Sequence, residues 1–334
     1  MKHIDNCSRI NRRTAIQGLI GGTLLGGLTD LAMADSGYPS RQIRFVVPFP
    51  AGASVDAIAR MLSQRMATSM GQSIIVDNRP GGNSAIGTDI VARSAGDGYT
   101  ILMTATSQVT TPLLTPVNYD SIKDFTPVAT ICSNDFVLVV NAATVPAKTL
   151  QELIAYAKAN PGKLNYSSAG TGNPTHLAGE LFDMQAGVKT THVPYKGGGP
   201  AVQDLLSGIV QMHFGSPDNV MQYIRNGKFR PLAVSGPQRL ATIPDVPTFA
   251  EAGIKDYELR AWYGVMAPKG TPPDVVARLR SEIEKVLALP ETKQRLNTLG
   301  MDVFDTSLDQ FATLLQSDRD KFTRIVQTAH IKLE

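Results

Sequence analysis

Four short stretches place serine, asparagine and glycine where a strand-like run gives way to helical spacing. They are "PFPAGASVD" (48–56), "RPGGNSAIG" (79–87), "SSAGTGNPTHLAGE" (167–180) and "VPYKGGGPAVQDLL" (193–206). A helix opens with backbone N–H groups that have no partner inside the helix, and with a partial positive charge, so each turn is a receptive place for an anion. Gly52 lets another molecule approach the backbone closely. Ser54 reads as the N-cap of the following helix with Asp56 in its first turn, and Asn173 with Pro174 reads as a cap and first helical position. Helix capping alone explains any one of these turns; their recurrence argues for a shared role. A carboxylate is the most economical anion for neutral N–H and hydroxyl donors.

Competing chemistries lack their signatures. No turn reads G-x-x-x-x-G-K-[ST] or G-x-G-x-x-G, since Val202 stands where the spacing begun by Gly197 and Gly199 needs a third glycine, which disfavours a nucleotide phosphate. The nearest approach to the esterase elbow G-x-S-x-G is "GASVD", with Asp56 in place of glycine. The histidines His3, His176, His192, His213 and His330 are scattered without the paired spacing of a zinc site. His176, four residues before Glu180, reads first as a local pair that stiffens the turn and second as a ligand contact. Trp262 and Tyr263 read first as packing and second as cleft wall.

The elements that must hold these turns repeat. From residue 43, apolar runs of strand length alternate with helical spacing: "IRFVVPF", a helix near 55–69, "SIIVDN", a helix near 85–94, then "YTILMTAT". "FVLVVN" at 136–141 opens a second series, with helices near 150–160, 174–186, 200–207 and 219–226. After "TIPDVPTFAEAG" come the strand-like "AWYGVMA" and two charged amphipathic helices near 274–288 and 308–327. Such alternation predicts an α/β protein of two lobes, each a mostly parallel sheet flanked by helices. The expected segments are 35–135 for the first part of lobe 1, 136–257 for lobe 2 and 258–334 for the rest of lobe 1. In parallel sheets the strand-to-helix turns emerge on one edge, so all four turns are expected to line one cleft.

The 334 residues are 43% hydrophobic and 18% charged, which bounds the chain to an ordinary globular class. The first 34 differ. Arg12 and Arg13, an apolar-to-small run from Ala15 to Thr29 and "AMA" at 32–34 read as a cleaved export signal of the twin-arginine type, cut after Ala34. Fifteen glycine-rich residues are too few to cross about 30 Å of hydrocarbon. The remaining chain is close to neutral, which leaves no electrostatic case for nucleic acid. Cys7 leaves with the signal, so Cys132 has no partner for an intramolecular disulfide.

Six collinear blocks then carry a resemblance across the expected mature chain: "VPFPAGASVDAIAR", "VDNRPGGNSAIGTDIVA", "DGYTILM", "LNYSSAGTGNPTHLAGELF", "VPYKGGGPAVQDLLSG", and "IPDVPTFAEAG" followed by "WYGVMAPKGTP". The chain resembles the periplasmic solute-binding receptors of tripartite tricarboxylate transporters, the Bug family. That resemblance implies a two-lobed, type II (Venus-flytrap) periplasmic binding protein that captures a small carboxylate and hands it to integral-membrane permease subunits. It implies a monomer, not an enzyme, with neither cofactor nor metal. Family members hold a ligand carboxylate through main-chain amides and water on two loops. Carried over, these give Phe49, Ala51, Gly52, Ser54 and Asp56 from the first loop, and Ser168, Gly170, Thr171, Gly172, Asn173 and His176 from the second. Gly52 and Ser54 would present N–H groups while Asp56 fixes the loop or receives a ligand donor. The family commonly has a second proline or a glycine pair where this chain has Ala51, Gly52 and Ala53, which puts the backbone path near Ala53 in question. Turn position adds Asn83, Ser107, Tyr195, Ser216, Asp218 and Asn219 for the rest of the ligand, Thr106 and Ser107 either facing the cleft or capping the next turn.

Two other classes stay open at this point. A periplasmic sensor would use the same cleft to signal, and a serine hydrolase would need Ser54 or Ser168 as nucleophile with His176 as base.

Overall fold

The computed structural model describes residues 37–332; the expected export signal, its cleavage point after Ala34 and Cys7 lie outside them. The strands are β1 (Ile43–Val47), β2 (Ile74–Asn78), β3 (Thr100–Ala105), β4 (Phe125–Asp135), β5 (Val137–Asn141), β6 (Asn165–Ser168), β7 (Thr191–Pro194), β8 (Met212–Gly215), β9 (Phe229–Val234), β10 (Arg260–Pro268) and β11 (Asp302–Val303). The helices are α1 (Ser54–Met70), α2 (Ala85–Ala92), α3 (Ser107–Leu114), α4 (Leu150–Ala159), α5 (Pro174–Ala186), α6 (Gly198–Ser207), α7 (Pro217–Arg225), α8 (Pro273–Ala288), α9 (Pro290–Thr298) and α10 (Leu308–Thr328).

They build a two-lobed α/β fold around two sheets. One has the order β11-β4-β10-β3-β1-β2 and the other β7-β6-β8-β5-β9. As expected, most strands of each sheet run one way, and each sheet also holds a reversed strand brought in from the other lobe. β1 runs parallel to β2 and β3, and β6 parallel to β7 and β8, but β10 runs against β3 and β4, and β5 against β8 and β9. The cause is the crossing of the chain. β4 ends at Asp135 in the first sheet and β5 starts at Val137 in the second, while β10 returns from the second sheet to the first. A strand arriving from the other lobe starts at the edge where the βαβ strands end, so it points the opposite way. The turns β1–α1, β2–α2, β3–α3, β6–α5, β7–α6 and β8–α7, which follow the strands running the common way, therefore still open on that shared edge.

Packing follows the periodicities. On one face of the first sheet, Ile43, Phe45 and Val47 alternate inward against Ile58, Leu62 and Met66 of α1 and Leu279 and Ile283 of α8. On the other face, Val46 and Leu102 meet Val109 of α3 and Phe311, Leu315 and Phe322 of α10. Each such fully buried side chain contributes on the order of 2 kcal/mol of transfer free energy. That second cluster runs on through Trp262 to Leu138, Phe182 and Phe214 of the second lobe. Val137 and Val139 cover α6 and α7 through Val202, Leu205 and Val220.

α3, α9, β4 and β11 were not anticipated from the sequence. α3 carries Pro112 and is only 8 residues long, and β4 carries Pro127. Among the described residues no helix is long and apolar enough to cross a membrane. Cys132 is a free, buried thiol whose pKa burial pushes up.

Candidate functional site

A cleft of about 270 Å³ opens between the two sheets at the common strand edge. Five helices reach it with their first turn or cap: α1 through Val55, α3 through Thr106 and Ser107, α5 through Asn173, Pro174 and Thr175, α6 through Gly198, and α7 through Ser216 and Asn219. Asn83 adds the turn before α2, and Ala105, Thr110, Asn134, Phe136, Ala169, His213, Ala261, Trp262, Tyr263 and Phe49 complete the wall. None of these residues is Asp, Glu, Lys or Arg. The field in the cleft is thus set by helix dipoles and neutral donors, a suitable environment for a negative group that must be released again.

The first loop is organised differently from the sequence expectation. α1 is capped by Ala53, in extended conformation and without a side-chain cap, so Ser54 is the first helical residue and not the cap. Asp56, only 3% exposed, accepts from the Gly52 amide (2.9 Å), Arg60 Nε (3.0 Å) and Asn78 Nδ2 (2.9 Å). The Gly52 N–H is therefore engaged by Asp56, and the donors the helix leaves without intrahelical partners are those of Ser54, Val55 and Asp56. Burial alone would raise the Asp56 pKa, but the bonds from Arg60, Gly52 and Asn78 hold it below the usual carboxylate range. Phe49 and Val55 line the cleft, while Ala51, Gly52, Ser54 and Asp56 stand behind or beside it.

The second loop is tied just as firmly. Asn173 caps α5, its Oδ1 accepting from the Thr175 amide and hydroxyl at 3.1 Å each. Thr175 Oγ1 accepts from the Ala169 amide (2.9 Å), and Ser168 Oγ from the Gly170 amide (3.1 Å). The Gly172 amide donates to His176 Nδ1 (3.0 Å), which places the imidazole proton on Nε2, 3.5 Å from Glu180 Oε1. His176 thus stiffens the turn. Gly172 and Asn173 line the cleft; Ser168, Gly170, Thr171 and His176 do not.

Of the residues expected from turn position, Asn83, Ser107, Ser216 and Asn219 line the cleft. Asn83 and Ser84 both hold positive φ (51° and 78°), uncommon for residues with a side chain; Thr111 Oγ1 donates to the Asn83 carbonyl at 2.6 Å, and Ser84 Oγ to Ser107 Oγ at 3.1 Å. Tyr195 is turned away: its hydroxyl donates to Asp204 (2.6 Å), with its pKa pushed up to about 12 by burial and then by Asp204. Asp218 is also outside the wall, its pKa raised by burial.

His213 was missed. It sits in β8 three residues before the Ser216 cap, a polar side chain at an inward strand position close to a strand end, which is the one sequence signal that could have found it. Trp262 packs and also forms wall. Its amide donates to Thr106 Oγ1 (3.0 Å) and its Nε1 to Asp318 Oδ2 (2.8 Å), which locks the indole plane. Asn134 and Phe136 flank the crossing strand, and Asn134 Nδ2 donates across to Ser216 Oγ at 3.3 Å.

The geometry a hydrolase would need is not the one found among the described residues. Ser168 Oγ bonds His192 Nε2 (2.6 Å) and not His176, and it is 0% exposed. The His192 ring stacks 3.6 Å from that of His176, with its pKa lowered to about 4 by burial and then by His176. Among the described residues no three His, Cys, Asp or Glu side chains form a metal-holding group.

Comparison with known proteins agrees with this architecture. Residues 58–331 match the model of the tripartite tricarboxylate transporter family receptor (TctC). A protein encoded between tcbD and tcbE in Pseudomonas sp. (strain P51) is 40% identical, over 97% of each chain. A solved periplasmic transporter is 39% identical, covering 89% of this chain and 100% of its own, with a TM-score of 0.72. Rpa4515 of R. palustris, solved with adipate, is 32% identical over 88% and 99% of the chains (TM-score 0.73). MatC of Rhodopseudomonas palustris, solved with malate, is 31% identical over 86% and 100% (TM-score 0.70). The chain belongs to the tripartite tricarboxylate transporter receptor family.

Proposed function

We propose that this protein is an exported, monomeric periplasmic receptor that binds a small carboxylate in the cleft and delivers it to the permease subunits of a tripartite tricarboxylate-type transporter. The observation that carries this reading is the convergence of five helix N-termini on a cleft whose wall has no charged side chain. Neutral donors and dipoles bind an anion without the residence time that a buried arginine would impose. The adipate and malate found with two relatives support the carboxylate. The lobes in this reading are 35–135 with 258–334, and 136–257, hinged where β4 passes into β5 and where the chain returns to β10. Within the site, Phe49, Asn83, Ser107, Gly172, Asn173, Ser216 and Asn219 contact the ligand, while Asp56 and His176 position the two loops.

Thermal unfolding of the chain from Asp35 onward against a carboxylate panel tests this. A ligand at about a hundred times its Kd adds about 2.7 kcal/mol, a rise of a few degrees. Matched primary amides are expected to give no shift. Equal shifts with acids and amides, or none with any acid, would remove the carboxylate reading. Uptake that survives deletion of the receptor gene would remove the transport role.

A further inference from the structure

We propose that the cleft selects a carboxylate that also carries a neutral hydroxyl group, and that Nε2 of His213 is the acceptor that reads that hydroxyl. The inference rests on the carboxylate reading above and narrows it.

His213 lines the cleft yet is only 1% exposed. Its Nδ1 lies 2.9 Å from the Ser167 carbonyl, an atom that can only accept, so Nδ1 carries the proton. Ser167 Oγ, 3.1 Å from the same nitrogen, has its own acceptor in the Ala201 carbonyl. Burial lowers the imidazole pKa to about 4, so at neutral pH the ring is uncharged and Nε2 is a bare lone pair. Among the described residues no group donates to Nε2, which leaves it for whatever occupies the cleft.

A lone pair there repels a carboxylate oxygen and rewards a hydrogen-bond donor. The carboxylate therefore turns to the helix N-termini and a second group of the ligand meets His213. That donor could be a hydroxyl or an ammonium. The wall holds no Asp or Glu to balance an ammonium, and the helix N-termini repel a cation, so the neutral hydroxyl fits and an amino acid does not. A ligand without the donor leaves a buried acceptor unpaired, which is the costly side of hydrogen-bond accounting.

Calorimetric titration of the wild-type protein with matched pairs tests the proposal: malate against succinate, lactate against propionate, 4-hydroxybenzoate against benzoate, with aspartate as the ammonium arm. In the pair that binds, the hydroxylated acid is expected to have about a ten- to hundredfold lower Kd, and aspartate to bind more weakly than malate. In His213→Phe, with folding checked by thermal unfolding, the two members of that pair are expected to bind within about threefold. Equal affinity in the wild type overturns the proposal without any variant being needed, as does a preference that persists in His213→Phe, or aspartate binding as tightly as malate. Binding of acids without hydroxyl preference strikes this proposal alone. No binding by any acid strikes the carboxylate reading and this proposal together.

Discussion

Replacing Asp56 with alanine removes a carboxylate that is 3% exposed and that receives three hydrogen bonds, from Gly52, Arg60 and Asn78. Arg60 is 53% exposed and rehydrates, so its bond is discounted. The Gly52 amide and the Asn78 amide lose an ionised, partly buried acceptor, at about 1.5 kcal/mol each, so Asp56→Ala is expected to destabilise by about 3 kcal/mol. For a domain of this size that is a fall of about 6 °C in Tm. Ligand affinity should fall as well, because the loop that sets the start of α1 is no longer pre-organised. The carboxyl titrates below its unfolded value, so its contribution is present above about pH 4 and is lost as pH falls through the native pKa. Urea unfolding at pH 7 and pH 3 reads both effects: the gap between wild type and variant should be smaller at pH 3 than at pH 7. A gap below about 0.5 kcal/mol at pH 7, with unchanged ligand affinity, would refute the assignment of Asp56 as the anchor of this loop.

Other consequences follow from the same geometry. His213 is neutral when folded and titrates near 6.5 when unfolded, so its contribution is complete above pH 6.5 and declines to pH 4, by about 3 kcal/mol. Asp183, held up to about 6 by burial, acts in the opposite sense, so the His213→Gln difference curve is the readout, and a flat difference between pH 7 and 4 would contradict the buried neutral ring. Asn173→Ala should cost about 1 kcal/mol through loss of the α5 cap, seen in the urea midpoint, with a larger proportional loss of ligand affinity. Cys132 should resist iodoacetamide in the native protein and react on unfolding; rapid native labelling would mean that the β4 face is open.

How much was legible in the sequence differs element by element. The helices with strong caps or clear spacing stood out, and α5 begins and ends where Pro174 and Gly187 place it. β4 and α3 did not, because Pro127 and Pro112 interrupt the local pattern while long-range pairing with β10 and packing against α10 hold them in place. The reversed strands β5 and β10 were not readable either, since direction depends on the lobe from which the chain arrives. In the site, the glycine turns revealed where the cleft lies but not which donors stay free. The amides of Gly52, Gly170 and Gly172 looked available, and each is engaged by Asp56, Ser168 or His176. Trp262 and His213 come from strand interiors, where a side chain lining a cleft has the same sequence signature as one in a core.

The most direct test uses Trp262, the one tryptophan of the chain, which lines the cleft with its indole fixed on Asp318. Intrinsic fluorescence of the protein from Asp35 onward is titrated with malate, adipate and their diamides. The account predicts a saturable change for an acid, none for its diamide, and a weakened response in Asn173→Ala. A flat signal with every acid, or the same curve for acid and diamide, would contradict a carboxylate site at this cleft.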